Sequence, residues 1–270
     1  MCVTCGVQYG PDHDTAACPI CRDERQYIGR GGQRWTDTDR LRADHRNRIA
    51  REVGGIWAVG TEPKFGIGQR ALLVPGEDAH GRPANLLWDC VSLVDDATVE
   101  RIEELGGLAA IAISHPHYYS AMREWSAAFG DIPIHIHRDD AHWVPIDDPV
   151  IHFWSGDRRE ILPGRTLINL RVHFDGGTVL HFPGVDGRGA LCAGDIVQVV
   201  QDRRWVSFMY SYPNLIPAHP DIVRRAAAML SPYEFETVYG AWWGAVVDGD
   251  GAAAVQRSAE RYLHHLGMEL

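Results

Sequence analysis

Leu108-Ala-Ala-Ile-Ala-Ile113 runs without a break into Ser114-His115-Pro116-His117-Tyr118-Tyr119. The first stretch is a continuous apolar run of strand length and reads as a buried strand. Two histidines therefore leave a strand end together. In extended backbone, positions i and i+2 point the same way, so both imidazoles can reach one metal ion. Two polar loop residues would look the same in isolation, so the other His and Asp positions decide the reading.

Those positions also fall at strand ends. Asp89 closes Asn85-Leu-Leu-Trp-Asp89, His173 follows an apolar strand over 166–172 and precedes Asp175-Gly176-Gly177, and Asp195 ends Leu191-Cys-Ala-Gly194-Asp195. Singly, Asp89 could cap a turn and His173 could sit half-exposed on a hairpin. Together they form the kind of rim where α/β proteins place chemistry. Patterning predicts further strands over 56–60, 68–74, 132–137, 177–182, 205–208 and 235–239, and helices over 38–51, 95–105, 118–129, 222–230 and 252–266. Asp95 or Asp96 is placed to cap the 95–105 helix. Strands outnumber helices and come in hairpin-like groups, which points to two sheets sandwiched between helices.

In this order the landmarks resemble the metallo-β-lactamase superfamily. Asp89 matches its early Asp, His115-x-His117 the start of its H-x-H-x-D-H motif, His173 its next His, and Gly194-Asp195 its Gly-Asp pair. The resemblance spans about residues 55–265 and implies an α/β (α+β) fold, a four-layer αβ/βα sandwich. It also implies metal-dependent hydrolysis. The chain departs from the pattern where Tyr119 and Ser120 replace the motif's Asp and second His. A late His is replaced by Gly240-Ala241-Trp242-Trp243-Gly244. Those missing residues build the family's second metal site, so the resemblance implies one metal on His115, His117 and His173, with Asp195 as fourth ligand or close acceptor. Zinc suits this donor set, and iron or manganese stay open. Asp195 becomes the proton-handling candidate, with Tyr119 as a hydrogen-bond donor or acid. Tyr118, Tyr119, Ser120, Tyr210 and Trp242 are the expected pocket residues, Phe208 and Tyr212 are placed to wall the same cleft, and Phe208 and Trp243 serve equally well as packing. Loss of a second Lewis acid favours a small-molecule ester, thioester or lactone over an amide. Redox or lyase-type chemistry, and a non-catalytic metal-stabilised binding module, are the competing functions.

Upstream, Cys2-x-x-Cys5 and Cys18-x-x-Cys21 form paired knuckles, with Gly6 suited to the turn after Cys5. In a reducing compartment they read as a structural four-cysteine zinc site, with an iron site or a redox dithiol as alternatives. Residues 1–34 are too short for their own apolar core and form a zinc-ribbon-like segment, ending in the hinge Gly29-Arg-Gly-Gly-Gln-Arg34 before a domain over 35–270. Cys90 and Cys192 read as small buried residues. His135 and His137 form a second H-x-H inside an apolar strand, with no further ligand pattern nearby, and His264-His265 read as solvent-facing. The first 55 residues hold nine Arg against eight Asp or Glu, and the 270-residue chain carries a formal charge of -10. Neither fits a nucleic-acid or anionic-membrane partner. No run approaches a membrane span and Met1-Cys2-Val3-Thr4-Cys5 lacks a secretory pattern, so a cytoplasmic location is expected. A small-molecule substrate is the expected partner, and a homodimer stays open.

Overall fold

Alternation along the strands builds the layers. In β3 (Arg70–Val74), Ala71 and Leu73 face one core while Leu72 and Val74 face another, and in β4 (Leu86–Trp88) Leu87 opposes Leu86 and Trp88 in the same way. The structure is a computed structural model that describes residues 1–10, 13, 14, 16–78 and 80–270. A seven-stranded sheet runs in the order β1 (Arg46–Arg51), β2 (Trp57–Glu62), β3, β4, β5 (Ala110–Ala112), β6 (Ile134–His137) and β7 (Ile151–Trp154). Its last four strands are parallel. A six-stranded sheet contains β8 (Arg158–Leu162), β9 (Arg165–Asn169), β10 (Thr178–Phe182), β11 (Ala190–Gly194), β16 (Thr237–Gly240) and β17 (Val246–Val247). Two short antiparallel hairpins, β12 (Gln198–Val199) with β13 (Val206–Ser207) and β14 (Met209–Ser211) with β15 (Ile216–Pro217), follow β11 in the chain.

The inner faces meet in one core, where Ala58, Leu72 and Trp88 pack with Leu180, Phe182 and Cys192. The outer face of the second sheet buries Val179, Leu191 and Ala193 against α5 (Pro220–Leu230) and α6 (Gly251–His265). The outer face of the first sheet packs with α3 (Asp96–Glu104), α4 (Met122–Ala128) and the N-terminal segment. This is the four-layer sandwich expected. Asp95 caps α3 by accepting from the Thr98 backbone N–H, as its position implied. No helix among the described residues is long and apolar enough to cross a membrane.

Some expectations fail for identifiable reasons. The helix expected over 38–51 stops as α2 (Thr38–Asp44), because residues 46–51 pair antiparallel with β2 and become an edge strand. Its arginines stay useful there: Arg48 pairs with Glu62 at 3.6 Å and stacks over Trp243. The helix expected over 118–129 starts late, since Pro116–Tyr118 forms a 3₁₀ turn first. Pro116, with its fixed φ, opens that turn. His115 and His117 therefore converge through a tight turn and not through extended alternation, with ring centroids 5.0 Å apart.

Candidate metal centre

Three loops bring the donors together at the end where the sheets meet. His115 and His117 follow β5, and a hydrogen bond from the Thr178 N–H to the Ser114 carbonyl ties this loop to the second sheet at 3.0 Å. Asp195 follows β11, whose register shifts between Cys192 and Gly194; Gly194 takes φ +55 beside Ser114 and Asp89, which turns Asp195 inward. His173 sits between β9 and β10 at φ +68, at the centre of a three-residue turn closed by the Phe174 N–H on the Val172 carbonyl at 2.8 Å. Such a turn is rare and strained.

The ligand atoms of His115, His117, His173 and Asp195 all lie within 4.8 Å of one another. His115 Nε2 is 3.3 Å from Asp195 Oδ1, and His173 Nε2 is 3.2 Å from His117 Nδ1. His173 Nδ1 donates to the Tyr210 carbonyl at 2.7 Å, which leaves a lone pair on Nε2 facing the centre. His115 Nδ1 is fixed by Ser114 Oγ at 2.9 Å. Burial pushes His115 and His117 well below the usual histidine range and His173 down to about 4, so all three are neutral, the ligating form. Burial also pushes the Asp195 carboxyl up to about 7, the opposite of what a cation beside it would do. His115 Nε2, His117 Nε2 and Asp195 Oδ1 are buried without a hydrogen-bond partner among the described residues. Orphaned atoms of this kind around one point fit a metal ion.

The cysteines make a second cluster. All four are buried and unbridged, with Cys2 and Cys21 sulfurs 3.6 Å apart and Cys5 and Cys18 sulfurs 3.7 Å apart. A tetrahedral site with metal–sulfur bonds of about 2.3 Å places its sulfurs about 3.8 Å apart. Burial and the neighbouring sulfurs push the Cys5 thiol well above its ordinary range, and a cation among the four sulfurs would offset that. Gly6, at φ +84, follows the first knuckle and donates to the Cys2 carbonyl at 2.8 Å. The segment packs on the domain: Val7 and Ile20 share a core with Leu87, Tyr118 and Trp125, and Ser92 Oγ donates to the Gly6 carbonyl at 2.8 Å.

A cavity of about 270 Å³ opens over the histidines, with Thr4, Arg25, Gln26 and Tyr27 of the N-terminal segment on one wall. Lys64, Ile67, Tyr212 and Trp242 complete it. Of the expected pocket residues, Trp242 lines this cavity. Tyr118 lies beneath it, its ring 4.4 Å from His115 and its hydroxyl turned toward Asp195. Tyr119 points elsewhere: it is fully buried and its hydroxyl donates to the Asp140 carbonyl at 3.3 Å. Neighbouring residues on a tight helical turn diverge, so only one of the two tyrosines can face the histidines. Ser120 Oγ accepts from Gln69 Nε2 at 2.9 Å, away from the donors. Tyr210 acts through its backbone carbonyl, while its ring lines a neighbouring groove. Asp89 stays outside the donor set; burial pushes its carboxyl up to about 8, and it accepts from the Ser114 N–H at 2.8 Å. Phe208 packs in the core and Trp243 against Gly60 and Arg48. His137 bonds the Gly156 carbonyl, and no metal cluster forms there among the described residues. Sequence reasoning missed Ser114, Phe174 and Arg25; only Ser114, preceding the motif, offered a signal.

No family model matches the sequence. An uncharacterized protein, YmaE of Bacillus subtilis (strain 168), is 46% identical over 274 residues, covering 100% of this chain and 97% of that protein. Solved structures with the same fold include DIM-1 metallo-β-lactamase, at TM-score 0.59 and 18% identity over 80% of this chain and 98% of that one. VMB-1 matches at TM-score 0.60 and 13% identity over 82% and 98%. FIM-1 from Pseudomonas aeruginosa, in its mono-zinc form, matches at 0.55 and 14% over 80% and 96%. At such identities the likeness is one of fold. The chain thus belongs to the family of YmaE, built on the metallo-β-lactamase fold.

Proposed function

We propose that this protein is a metal-dependent hydrolase of a small-molecule ester, thioester or lactone, working through one metal ion on His115, His117, His173 and Asp195, with zinc in the four-cysteine site. The observation that carries this reading is the set of orphaned, ligation-ready atoms at the floor of an open cavity. When bound, the ion supplies Lewis acidity and the activation of water at neutral pH. The chain does the rest. Asp195 would give Oδ1 to the ion and keep its other carboxylate oxygen to take up a proton, and Tyr118, whose phenol burial keeps protonated, lies beside that carboxylate with its hydroxyl free to donate. Ser114 and the Tyr210 carbonyl fix the orientation of two imidazoles. Ile67, Trp242 and Tyr212 offer apolar walls, and Lys64, the sole lysine of the chain, adds a positive charge. That combination favours a compact substrate with an apolar body and an anionic group.

The test is a panel of esters, thioesters and lactones, neutral and carboxylate-bearing, assayed on protein of measured metal content. Turnover that disappears in a folded His115→Ala variant supports the reading. A fully metal-loaded protein inert across the panel contradicts it.

A further inference from the structure

His173 is gripped by residues that belong to the four-cysteine segment. Arg25 follows Cys21 by four positions, and its Nη1 donates to the His173 carbonyl at 3.3 Å. Its guanidinium lies 4.0 Å over the ring of Phe174. The other two nitrogens are held by Asp23, Nε at 2.6 Å and Nη2 at 2.9 Å, so every nitrogen of the fork is anchored.

Glu24 reaches the His173 imidazole through Tyr210. Its carboxylate accepts the Tyr210 hydroxyl at 2.6 Å, and its carbonyl accepts Ser211 Oγ and Asn214 Nδ2, each at 2.7 Å. Tyr210 in turn receives the His173 Nδ1 proton on its backbone carbonyl at 2.7 Å. The backbone carbonyl and the ring of His173 are thus both anchored, directly or through Tyr210, by adjacent residues just beyond the second cysteine knuckle. His173 needs such anchoring, because at φ +68 its backbone persists only where the surroundings over-determine it.

We propose that Arg25 and Glu24 are positioning residues for His173, so that an assembled four-cysteine site tightens metal binding at the three-histidine site. The inference rests on the metal-centre reading above. Linkage makes the coupling reciprocal: the factor by which a filled cysteine cluster raises metal affinity at the histidines equals the factor by which filled histidines raise it at the cysteines.

Cobalt(II) tests this on the full chain, because thiolate charge-transfer bands and histidine-site d–d bands report the two clusters separately. In Arg25→Ala the dissociation constant of the histidine site should rise about tenfold or more, the range seen when a ligand's supporting partner is removed. Its d–d bands should shift, while the thiolate bands and the cooperative melt persist. Arg25→Lys, which keeps one donor but not the fork, should fall between. Glu24→Ala should weaken the site less, and Glu24→Gln, which still accepts the Tyr210 hydroxyl, should restore it. Histidine-site affinities equal to the parent's in Arg25→Ala and Glu24→Ala overturn the proposal. If Arg25→Ala does not fold, the Glu24→Ala and Glu24→Gln pair decides by the same criterion. A parent protein that takes up no cobalt at the histidines overturns the metal-centre reading itself, a result distinct from equal affinities.

Discussion

Tyr118 and Tyr119 are neighbours with opposite surroundings. Tyr118 faces His115 and Asp195, whereas Tyr119 spends its hydroxyl on a backbone carbonyl behind the site. Tyr118→Phe removes the phenol beside Asp195 and should therefore lower turnover about tenfold, the scale of one hydrogen bond donated to a charged group during turnover. Tyr119→Phe should leave turnover near that of the parent and cost stability of about 1 kcal/mol. Steady-state kinetics of the pair checks this, and the reverse ranking would return Tyr119 to the site. Asp140 gives a pH prediction. Burial chiefly pushes its carboxyl up to about 7, with Asp175 adding to the effect and the Gly176 N–H and Arg25 opposing it. The unfolded value is about 3.9, so between these values the native state binds more protons and stability falls as pH rises. Asp140→Asn removes that loss. Its melting temperature should gain on the parent's from pH 5 to pH 8, and a constant gap would contradict the shift.

The His173 loop is the element on which the site depends most. A Cβ on Gly177 would lie 2.2 Å from the Val172 carbonyl and 2.9 Å from that of Phe174, both backbone atoms that cannot step aside. Gly177→Ala should cost about 1–3 kcal/mol as overpacking and deplete metal at the histidines before it depletes the cysteine cluster. Denaturant melts with metal analysis would show it. Sequence patterning found this loop and the other donor loops because each follows an apolar strand of ordinary length. It misplaced β1, whose Arg-Asn-Arg-Ile-Ala-Arg run has no strong period and becomes a strand only through pairing with β2. β7 and β8 went unread for a similar reason: Ile151–Trp154 and Arg158–Leu162 owe their state to neighbours in the sheets. Arg25 was illegible too. Its contact with His173 spans 148 positions, and nothing around Arg25 in the chain marks it.

Across the whole molecule, the two sheets are joined by a buried latch as well as by apolar packing. Arg70 of β3 is fully buried, pairs with Glu52 at 3.0 Å, and donates to the Gly240 carbonyl of β16. Glu52→Ala would strand that guanidinium and should destabilise the protein by about 3–5 kcal/mol. Equilibrium unfolding measures this directly, and a loss below about 1 kcal/mol would mean the latch is solvated. At the same end of the sheets, where Gly240 pairs with Gly194 beside Asp195, the N-terminal segment that carries the four cysteines supplies a wall of the cavity over the histidines. Two donor clusters stand among the described residues, one of cysteines and one of histidines with Asp195, and the proposed function puts a single ion in each. Elemental analysis of the purified full chain tests it most directly. The account predicts about two metal ions per chain, one for each donor cluster, falling to about one in His115→Ala. Three per chain would contradict it.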